Sequence, residues 1–156
     1  FRILRAWFPW LKERARAEQE RLGAPLCRKV VNVSSVSGTR GAATQIAYAT
    51  GKAAVIGLTR TLAKEWGRYN VCVNCVAFGH IETRLTQPYD EAPPRIAVGG
   101  REHNVGLTAT QIEAARLAAP LGRSGRPEDG AGAIYLLCLP ESDFITGEVL
   151  TCSGGA

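Results

Sequence analysis

The chain has 156 residues, of which 46% are hydrophobic and 21% are charged, and its formal net charge is +5. These values are ordinary for one globular domain with a buried core. No apolar run approaches the roughly 18 residues that a membrane span needs, which excludes a membrane-spanning segment. The five cysteines are an odd number spread over the chain, which argues against a secreted disulfide framework. We therefore predict a cytoplasmic protein with reduced thiols.

Basic residues are concentrated in the first 30 positions, a distribution that nucleic-acid-binding proteins also show. Glu13, Glu18 and Glu20 alternate with these bases, and no helix-turn-helix, zinc-finger or RNA-binding pattern accompanies them. The charges therefore indicate a solvated helix face, and we predict no nucleic-acid partner.

The first half of the chain alternates helical and strand patterns. The helical spacing of apolar residues predicts helices over residues 1–22 and 46–67. Short apolar, β-branched runs predict buried strands at Lys29–Val33 and Val71–Ala77, and a Ser- and Gly-rich segment predicts a loop over Ser34–Thr44.

The second half opens with a long irregular stretch, residues 78–107. Within it, Gly99-Gly100 suits a two-residue turn, which predicts a hairpin of Ile96–Val98 with Arg101–His103. The remaining predicted elements are a helix over 110–119, a helix that begins at Pro127 and ends before Pro140, and a strand over 147–152.

The order of strands and helices indicates an α/β fold whose parallel strands are joined by right-handed crossovers. Three strands are fewer than the five or six of a stable doubly wound domain. We therefore predict a partial doubly wound, Rossmann-type parallel sheet with flanking helices and with its amino-terminal strands missing. The chain contains no methionine and opens inside a helical pattern, so residues 1–156 are expected to form the carboxyl-terminal portion of one such domain.

Tyr48 and Lys52 stand four residues apart in a stretch of otherwise small side chains. On a helix this spacing makes the two side chains neighbours. A nearby ammonium stabilises the phenolate form, so the phenol becomes a stronger acid that can act near neutral pH. The pair therefore indicates a proton donor and its activating charge.

Two predicted strands end in polar or glycine-containing segments, at the edge where parallel sheets bind ligands. Ser35 follows the first strand and precedes Tyr48 by 13 residues, a spacing that favours Ser35 over Ser34 as the hydroxyl that holds a carbonyl oxygen. Gly79 follows the second strand, where the lack of a side chain permits a close backbone approach.

Four spaced motifs resemble those of the short-chain dehydrogenase/reductase family. They are Asn32-Val33-Ser34-Ser35, Tyr48-Ala49-Thr50-Gly51-Lys52, Val73-Asn74 leading into Phe78-Gly79-His80-Ile81-Glu82-Thr83, and Thr146-Gly147 with Ser153-Gly154-Gly155. The motifs keep the family's order, which is far more specific than a bare Tyr-x-x-x-Lys. Within the family, the chain is most similar to the 3-oxoacyl-acyl carrier protein reductases.

The resemblance implies a role for each site residue. Ser35 would polarise the substrate carbonyl, Tyr48 would donate the proton, and Lys52 would activate Tyr48 and bind the nicotinamide ribose. The residues that would line the nicotinamide are Gly79, Ile81 and Thr83. The implied cofactor is NADP, with NAD as the alternative.

The resemblance also implies a substrate and partners. The expected reaction is the reduction of a 3-oxoacyl thioester, carried on acyl carrier protein, in fatty acid biosynthesis. The stretch from Arg84 to Pro120 would be a substrate lid. A homotetramer is implied, with contacts through residues 1–22 and 46–67 and through the last strand.

The chain departs from the family pattern at several points. Phe78-Gly79 replaces the usual Pro-Gly, and the Gly-rich phosphate loop is absent, so the chain alone could be inactive. Two alternatives therefore stay open: an alcohol or steroid dehydrogenase of the same fold, and a non-catalytic fragment that serves only in assembly.

Several other residues could in principle bind a metal or a ligand, but we predict structural or surface roles for most of them. Cys72 and Cys75 lie three apart on a predicted strand and should face opposite sides, so we predict no metal site. His80 is expected to be a substrate-facing or exposed residue, and His103 a surface residue of the hairpin. Arg123 and Arg126 are expected to lie in the turn before a helix.

Overall fold

The computed structural model describes all residues, 1–156. The helices are α1 (Arg2–Leu22), α2 (Val36–Arg40), α3 (Ile46–Trp66), α4 (Ala109–Ala118) and α5 (Pro127–Leu136). The strands are β1 (Arg28–Ser35), β2 (Val71–Phe78), β3 (Arg95–Val98), β4 (Arg101–Asn104) and β5 (Val149–Cys152). Single 3₁₀ turns lie at Gly67–Tyr69, Arg84–Thr86 and Pro140–Ser142.

The chain divides into two compact units. The first contains Phe1–Ala77 and Ile134–Leu150, and the second contains Phe78–Ala133 and Thr151–Ala156. No helix of the chain combines the length and the apolarity that crossing a membrane requires.

One sheet has the strand order β1-β2-β5 and is parallel. Residues of β2 bond to residues just before β5 in increasing order along both segments, as parallel strands do. Gly147 donates to the Val73 carbonyl at 2.8 Å, and Cys75 donates to the Glu148 carbonyl at 2.9 Å. Helix α3 connects β1 to β2. The predicted fold class, a partial Rossmann-type α/β sheet flanked by helices, is confirmed.

The core of the first unit forms where α1 and α3 pack over the strands. Leu11 of α1 is fully buried among residues of α3 and β2. The Phe8 ring stacks on the Trp66 ring with 5.3 Å between their centroids. Burying one leucine side chain contributes about 1.5–3 kcal/mol, so this apolar stripe explains why α1 docks.

The charged side of α1 is not solvated throughout. Glu18 is 8% exposed and accepts hydrogen bonds from Arg28 Nη1 at 2.9 Å and from the Leu26 N–H at 3.0 Å. The Arg28 guanidinium, helped by that N–H, holds the pKa of Glu18 at about 2. The prediction of a solvated face is therefore wrong at Glu18, because Arg28 offers its carboxylate a partner from the sheet.

The predicted hairpin in the second unit is confirmed. Strands β3 and β4 are antiparallel, with Val98 paired to Arg101 across the turn. Gly99 and Gly100 have φ angles of 59° and 77°. Two consecutive positive φ angles define the primed turn that glycine favours. His103 is exposed on β4, as predicted.

The segment predicted as a loop over Ser34–Thr44 is partly ordered secondary structure. Ser34 and Ser35 belong to β1, and α2 follows them directly. The Ser35 hydroxyl accepts a hydrogen bond from the Ser37 N–H at 3.2 Å, which caps α2. A serine cap can begin a helix too short to show a hydrophobic period, and for this reason the pattern did not predict α2.

Helix α5 ends earlier than predicted, at Leu136, and a turn follows it. Leu137 and Cys138 donate to carbonyls three residues back, at 3.1 and 2.9 Å. This tightening is common at helix ends.

Candidate active site

Tyr48 and Lys52 occupy successive turns near the start of α3. The Lys52 ammonium lies 5.6 Å from the centroid of the Tyr48 ring. The two side chains are therefore neighbours, as predicted, and the ammonium lies within cation–π distance of the ring. Tyr48 is 51% exposed, so its hydroxyl is open to a molecule that approaches from solvent.

Lys52 is bound to the end of β1 at two points. Its ammonium donates to the Val33 carbonyl at 3.2 Å, and its own carbonyl accepts from the Ser34 hydroxyl at 2.8 Å. Ser34 is 2% exposed. Ser34, the alternative to Ser35 as the hydroxyl that holds a substrate carbonyl, therefore already donates its proton within the chain.

Ser35 is the last residue of β1 and is buried. Its side chain accepts the hydrogen bond that caps α2. A hydroxyl that accepts one bond keeps its proton for another acceptor, such as a carbonyl oxygen. No hydrogen bond within the chain joins Ser35 to Tyr48, so a shared catalytic role for these residues stays a prediction.

Cys75 of β2 lies beneath this region and is fully buried. Burial raises the pKa of its thiol, while a hydrogen bond from the Ser34 main chain, one from Thr59 and the charge of Lys52 pull in the opposite direction. The thiol stays protonated near neutral pH and acts as a small apolar group.

In the second unit, the loop after β2 carries Gly79, Ile81 and Thr83. The Gly79 N–H donates to the Cys152 carbonyl at 2.9 Å. A Cβ atom on Gly79 would lie 2.7 Å from Ser153 Cβ and 2.9 Å from Ser153 Cα. The glycine is therefore required by the close approach of the carboxyl-terminal segment.

The same loop is fixed by hydrogen bonds on both sides. Gly125 donates to the His80 carbonyl at 3.0 Å and accepts from the Glu82 N–H at 2.8 Å, which forms a parallel bridge between Ile81 and Gly125. The Thr83 hydroxyl caps the 3₁₀ turn at Arg84–Thr86. The position of Ile81 is thus set by main-chain hydrogen bonds and that of Thr83 by its capping hydroxyl, contacts that the sequence did not reveal.

A pocket of about 590 Å³ opens beside this loop. Its lining combines polar and apolar side chains: His80, Glu82, Thr83, Thr86, Gln87, Pro88, Ile112 and Pro127. A volume of this size lies within the range of small-molecule and cofactor sites.

His80 is half-buried and lines this pocket, so it is not the exposed residue of one predicted alternative, and the other alternative, a substrate-facing role, stays a prediction. Its Nδ1 lies 3.1 Å from the Ser124 hydroxyl, and its Nε2 is buried without a hydrogen-bond partner. Phe78, which replaces the family's proline, packs its ring against Gly130 of α5. Arg123 lies in the turn before α5, as predicted, and it pairs with Asp129 in the first turn of that helix, which was not predicted.

All five cysteines are free thiols. Cys72 Sγ lies 3.9 Å from Cys27 Sγ. The two residues are 45 apart in sequence, so no local pattern predicts this contact. Burial, with the Asp143 carboxylate, raises the pKa of Cys27 to about 12. No group of three or more His, Cys, Asp or Glu side chains is arranged to hold a metal ion.

Several known proteins are similar in sequence to most of this chain. A family model described as enoyl-(acyl carrier protein) reductase matches residues 15–156. The chain is 41% identical over 127 residues to the 3-oxoacyl-acyl-carrier-protein reductase FabG of Aquifex aeolicus and 40% identical over 126 residues to that of Thermotoga maritima. It is 40% identical over 127 residues to the short-chain reductase protein NovJ of Streptomyces niveus.

The chain belongs to the short-chain dehydrogenase/reductase family, as its motifs predict. Each of these matches covers 81% of the chain but only 44% of the relative. The chain therefore spans less than half the length of the curated relatives it matches.

The site residues suit a nicotinamide cofactor by the chemistry of their donors. In the first unit, the Tyr48 hydroxyl and the Lys52 ammonium can hydrogen-bond the hydroxyls of a ribose. In the second unit, the Thr83 hydroxyl can both donate to and accept from an amide. Considered separately, the donors of the first unit fit a ribose, and the Thr83 hydroxyl fits an amide.

Proposed function

We propose that the protein is a nicotinamide-dependent reductase that converts a carbonyl, that of a 3-oxoacyl thioester, to the hydroxy product. The observation that carries this proposal is the Lys52 ammonium 5.6 Å from the ring centre of a half-exposed Tyr48. The similarity to reductases named for 3-oxoacyl-acyl-carrier-protein supports the choice of substrate.

In the proposed mechanism, Ser35 donates a hydrogen bond to the substrate carbonyl oxygen and so orients it. Tyr48 donates a proton to that oxygen as the carbonyl is reduced. The Lys52 charge stabilises the phenolate that this transfer leaves behind, which lowers the barrier to proton donation.

The cofactor supplies the hydride when it is bound, and the protein supplies orientation and charge. We propose that Tyr48 and Lys52 bind its ribose, and that Gly79, Ile81 and Thr83 line its nicotinamide. NADP is the proposed form, with NAD as the alternative.

The wider setting is proposed on the same resemblance. Residues 1–156 act as the carboxyl-terminal portion of a single Rossmann-type domain, and Arg84 to Pro120 form a lid over the substrate. The substrate arrives on acyl carrier protein, in the fatty acid biosynthesis of the cytoplasm. The active assembly is a homotetramer.

The test is carbonyl reduction by the protein as it is naturally made, with acetoacetyl thioester and either reduced dinucleotide. Tyr48→Phe is expected to lower kcat by about 100-fold or more, because general acid catalysis contributes on the order of 10²–10⁴ in rate. Tyr135→Phe is the matched control, since Tyr135 is also an exposed tyrosine, 64% accessible, on a different helix.

Two outcomes would contradict the proposal. If Tyr48→Phe reduced the thioester as fast as the parent, Tyr48 would not be the acid. If the parent reduced simple ketones or ketosteroids far better than acetoacetyl thioesters, the proposed substrate class would be wrong. The proposed carbonyl reduction by a nicotinamide cofactor would still stand.

A further inference from the structure

Helices α2 and α3 touch where Gly38 faces the main chain of Lys52. A Cβ atom on Gly38 would lie 2.7 Å from the Lys52 carbonyl carbon, 2.8 Å from Lys52 Cβ and 2.9 Å from the Ala53 nitrogen. These atoms belong to the body of α3 and cannot swing aside as a long side chain could. Gly38 does not have a positive φ angle. The glycine is therefore required here for space and not for its backbone conformation.

Ser34 holds the same lysine from the side of β1. Its buried hydroxyl donates to the Lys52 carbonyl at 2.8 Å. A helical carbonyl already accepts the bond of the α-helix, and its second lone pair is free for such a donor. The Lys52 ammonium donates to the carbonyl of Val33, the residue before Ser34. Both ends of Lys52 are thus bound to the last residues of one strand.

We propose that Ser34 and Gly38 are positioning residues, which hold Lys52 so that its ammonium stays beside the Tyr48 ring. This inference rests on the proposed function, in which that ammonium stabilises the phenolate that proton transfer leaves behind. Electrostatic interaction weakens as two charges separate. A displacement of about 1 Å in a catalytic site can lower the rate on the order of 100-fold. A small shift of α3 against β1 and α2 would therefore be felt in the chemistry.

The position of Lys52 can be measured without any activity. Lysines are labelled by reductive ¹³C-methylation, and the Lys52 signal is assigned in the NMR spectrum by its loss in Lys52→Arg. Gly38→Ala and Ser34→Ala are each expected to move that signal toward the signal of the exposed Lys64. The control is Gly57→Ala, because Gly57 also lies on α3 and a Cβ there meets nothing within 4 Å.

Ser34→Ala keeps the test decisive if Gly38→Ala does not fold. That substitution removes one oxygen atom and introduces no clash. A Lys52 signal that stays in its parental position in the folded variants would overturn the inference. A Lys52 signal that moves equally in Gly57→Ala would also overturn it, since the effect would then be general to α3.

The pH dependence of carbonyl reduction supplies the second readout. Gly38→Ala is expected to lower kcat about tenfold and to shift the limb of the pH profile that reports the acid, with the substrate KM unchanged. A merely structural loss would lower the folded fraction and leave the profile in place. Gly57→Ala is expected to match the parent in both respects.

The failures of the two proposals can be told apart. If removal of the charge in Lys52→Met leaves the reduction rate unchanged, the proposed function fails. If Lys52→Met slows the reduction but the Gly38 and Ser34 variants keep the parental rate and pH profile, the positioning inference alone fails.

Discussion

The Lys52 side chain donates from Nζ to the Val33 carbonyl at 3.2 Å, which connects the first turns of α3 to the end of β1. This bond holds the ammonium of the partly exposed Lys52 against the end of the strand. It also leaves the charge beside the Tyr48 ring, where the proposed mechanism needs it.

Replacement of Lys52 by methionine is expected to lower kcat for thioester reduction by about 100-fold, because the charge that favours the phenolate is lost. Lys52→Arg should restore only part of the rate, since a planar guanidinium cannot reproduce a compact ammonium. Lys64→Met, at an exposed position of the same helix, is the control. Steady-state kinetics with acetoacetyl thioester measure the effect, and equal rates in all three variants would contradict it.

Gly79→Ala is expected to destabilise the protein by about 1–3 kcal/mol, as overpacking of a filled space does. The new methyl group would meet Ser153 at 2.7 Å and could not be accommodated without a shift of the chain. Denaturant unfolding measures the change. Gly132→Ala, on α5 with nothing within 4 Å of its Cβ, should instead be neutral or stabilising, because alanine favours helix. Similar losses in both variants would show that the contact with Ser153 is unimportant.

The Glu18–Arg28 pair predicts a specific loss of stability in acid. The pKa of Glu18 is about 2 in the folded chain against an ordinary value of 4.5. A depressed pKa contributes stability above pH 4.5, and that contribution is lost as the pH falls toward 2. In Glu18→Gln the free energy of unfolding should therefore fall less steeply over this interval.

Denaturant titrations between pH 2 and 6 would measure this difference. Glu20→Gln serves as the control, because Glu20 is an exposed carboxyl on the same helix and forms no ion pair. If the parent and Glu18→Gln show the same dependence on pH, the ion pair is not linked to folding.

The thiols are expected to differ strongly in their reaction with iodoacetamide. Cys138 is exposed, whereas Cys72 and Cys75 are buried. The raised pKa of Cys27, about 12, leaves almost no thiolate at pH 8, and the thiolate is the reactive form. Peptide mapping by mass spectrometry should find Cys138 alkylated first and Cys27 unmodified on the same timescale.

Cys138→Ser should remove the fast phase of this alkylation and leave the slow phase unchanged. Rapid alkylation of Cys27 in the folded protein would contradict the protection that its burial confers.

Several elements of the fold were predictable because they depend on local signals. The apolar period over α1 and α3, the β-branched runs of β1 and β2, and the Gly99-Gly100 turn are each contained in a short window. The i, i+4 spacing placed Tyr48 beside Lys52 for the same reason.

The remaining features depend on residues that are distant in sequence. The Ser34 bond to Lys52 spans 18 residues, the Cys27–Cys72 contact spans 45, and the His80–Ser124 hydrogen bond spans 44. Such contacts are set by how the elements pack, which propensity and period do not encode. The same holds for Glu18, whose burial depends on an arginine supplied by the neighbouring strand.

The aromatic cluster on α1 and α3 has a practical consequence. The chain has three tryptophans, Trp7, Trp10 and Trp66, and all lie in the first unit. The centroid of the Trp7 ring lies 5.9 Å from that of Trp10 and 5.9 Å from that of Trp66. Intrinsic indole fluorescence therefore reports on the packing of α1 against α3. Residues 78–133 contain no tryptophan, so a reporter fluorophore introduced there would supply an emission signal from within that stretch when ligand-induced changes are followed.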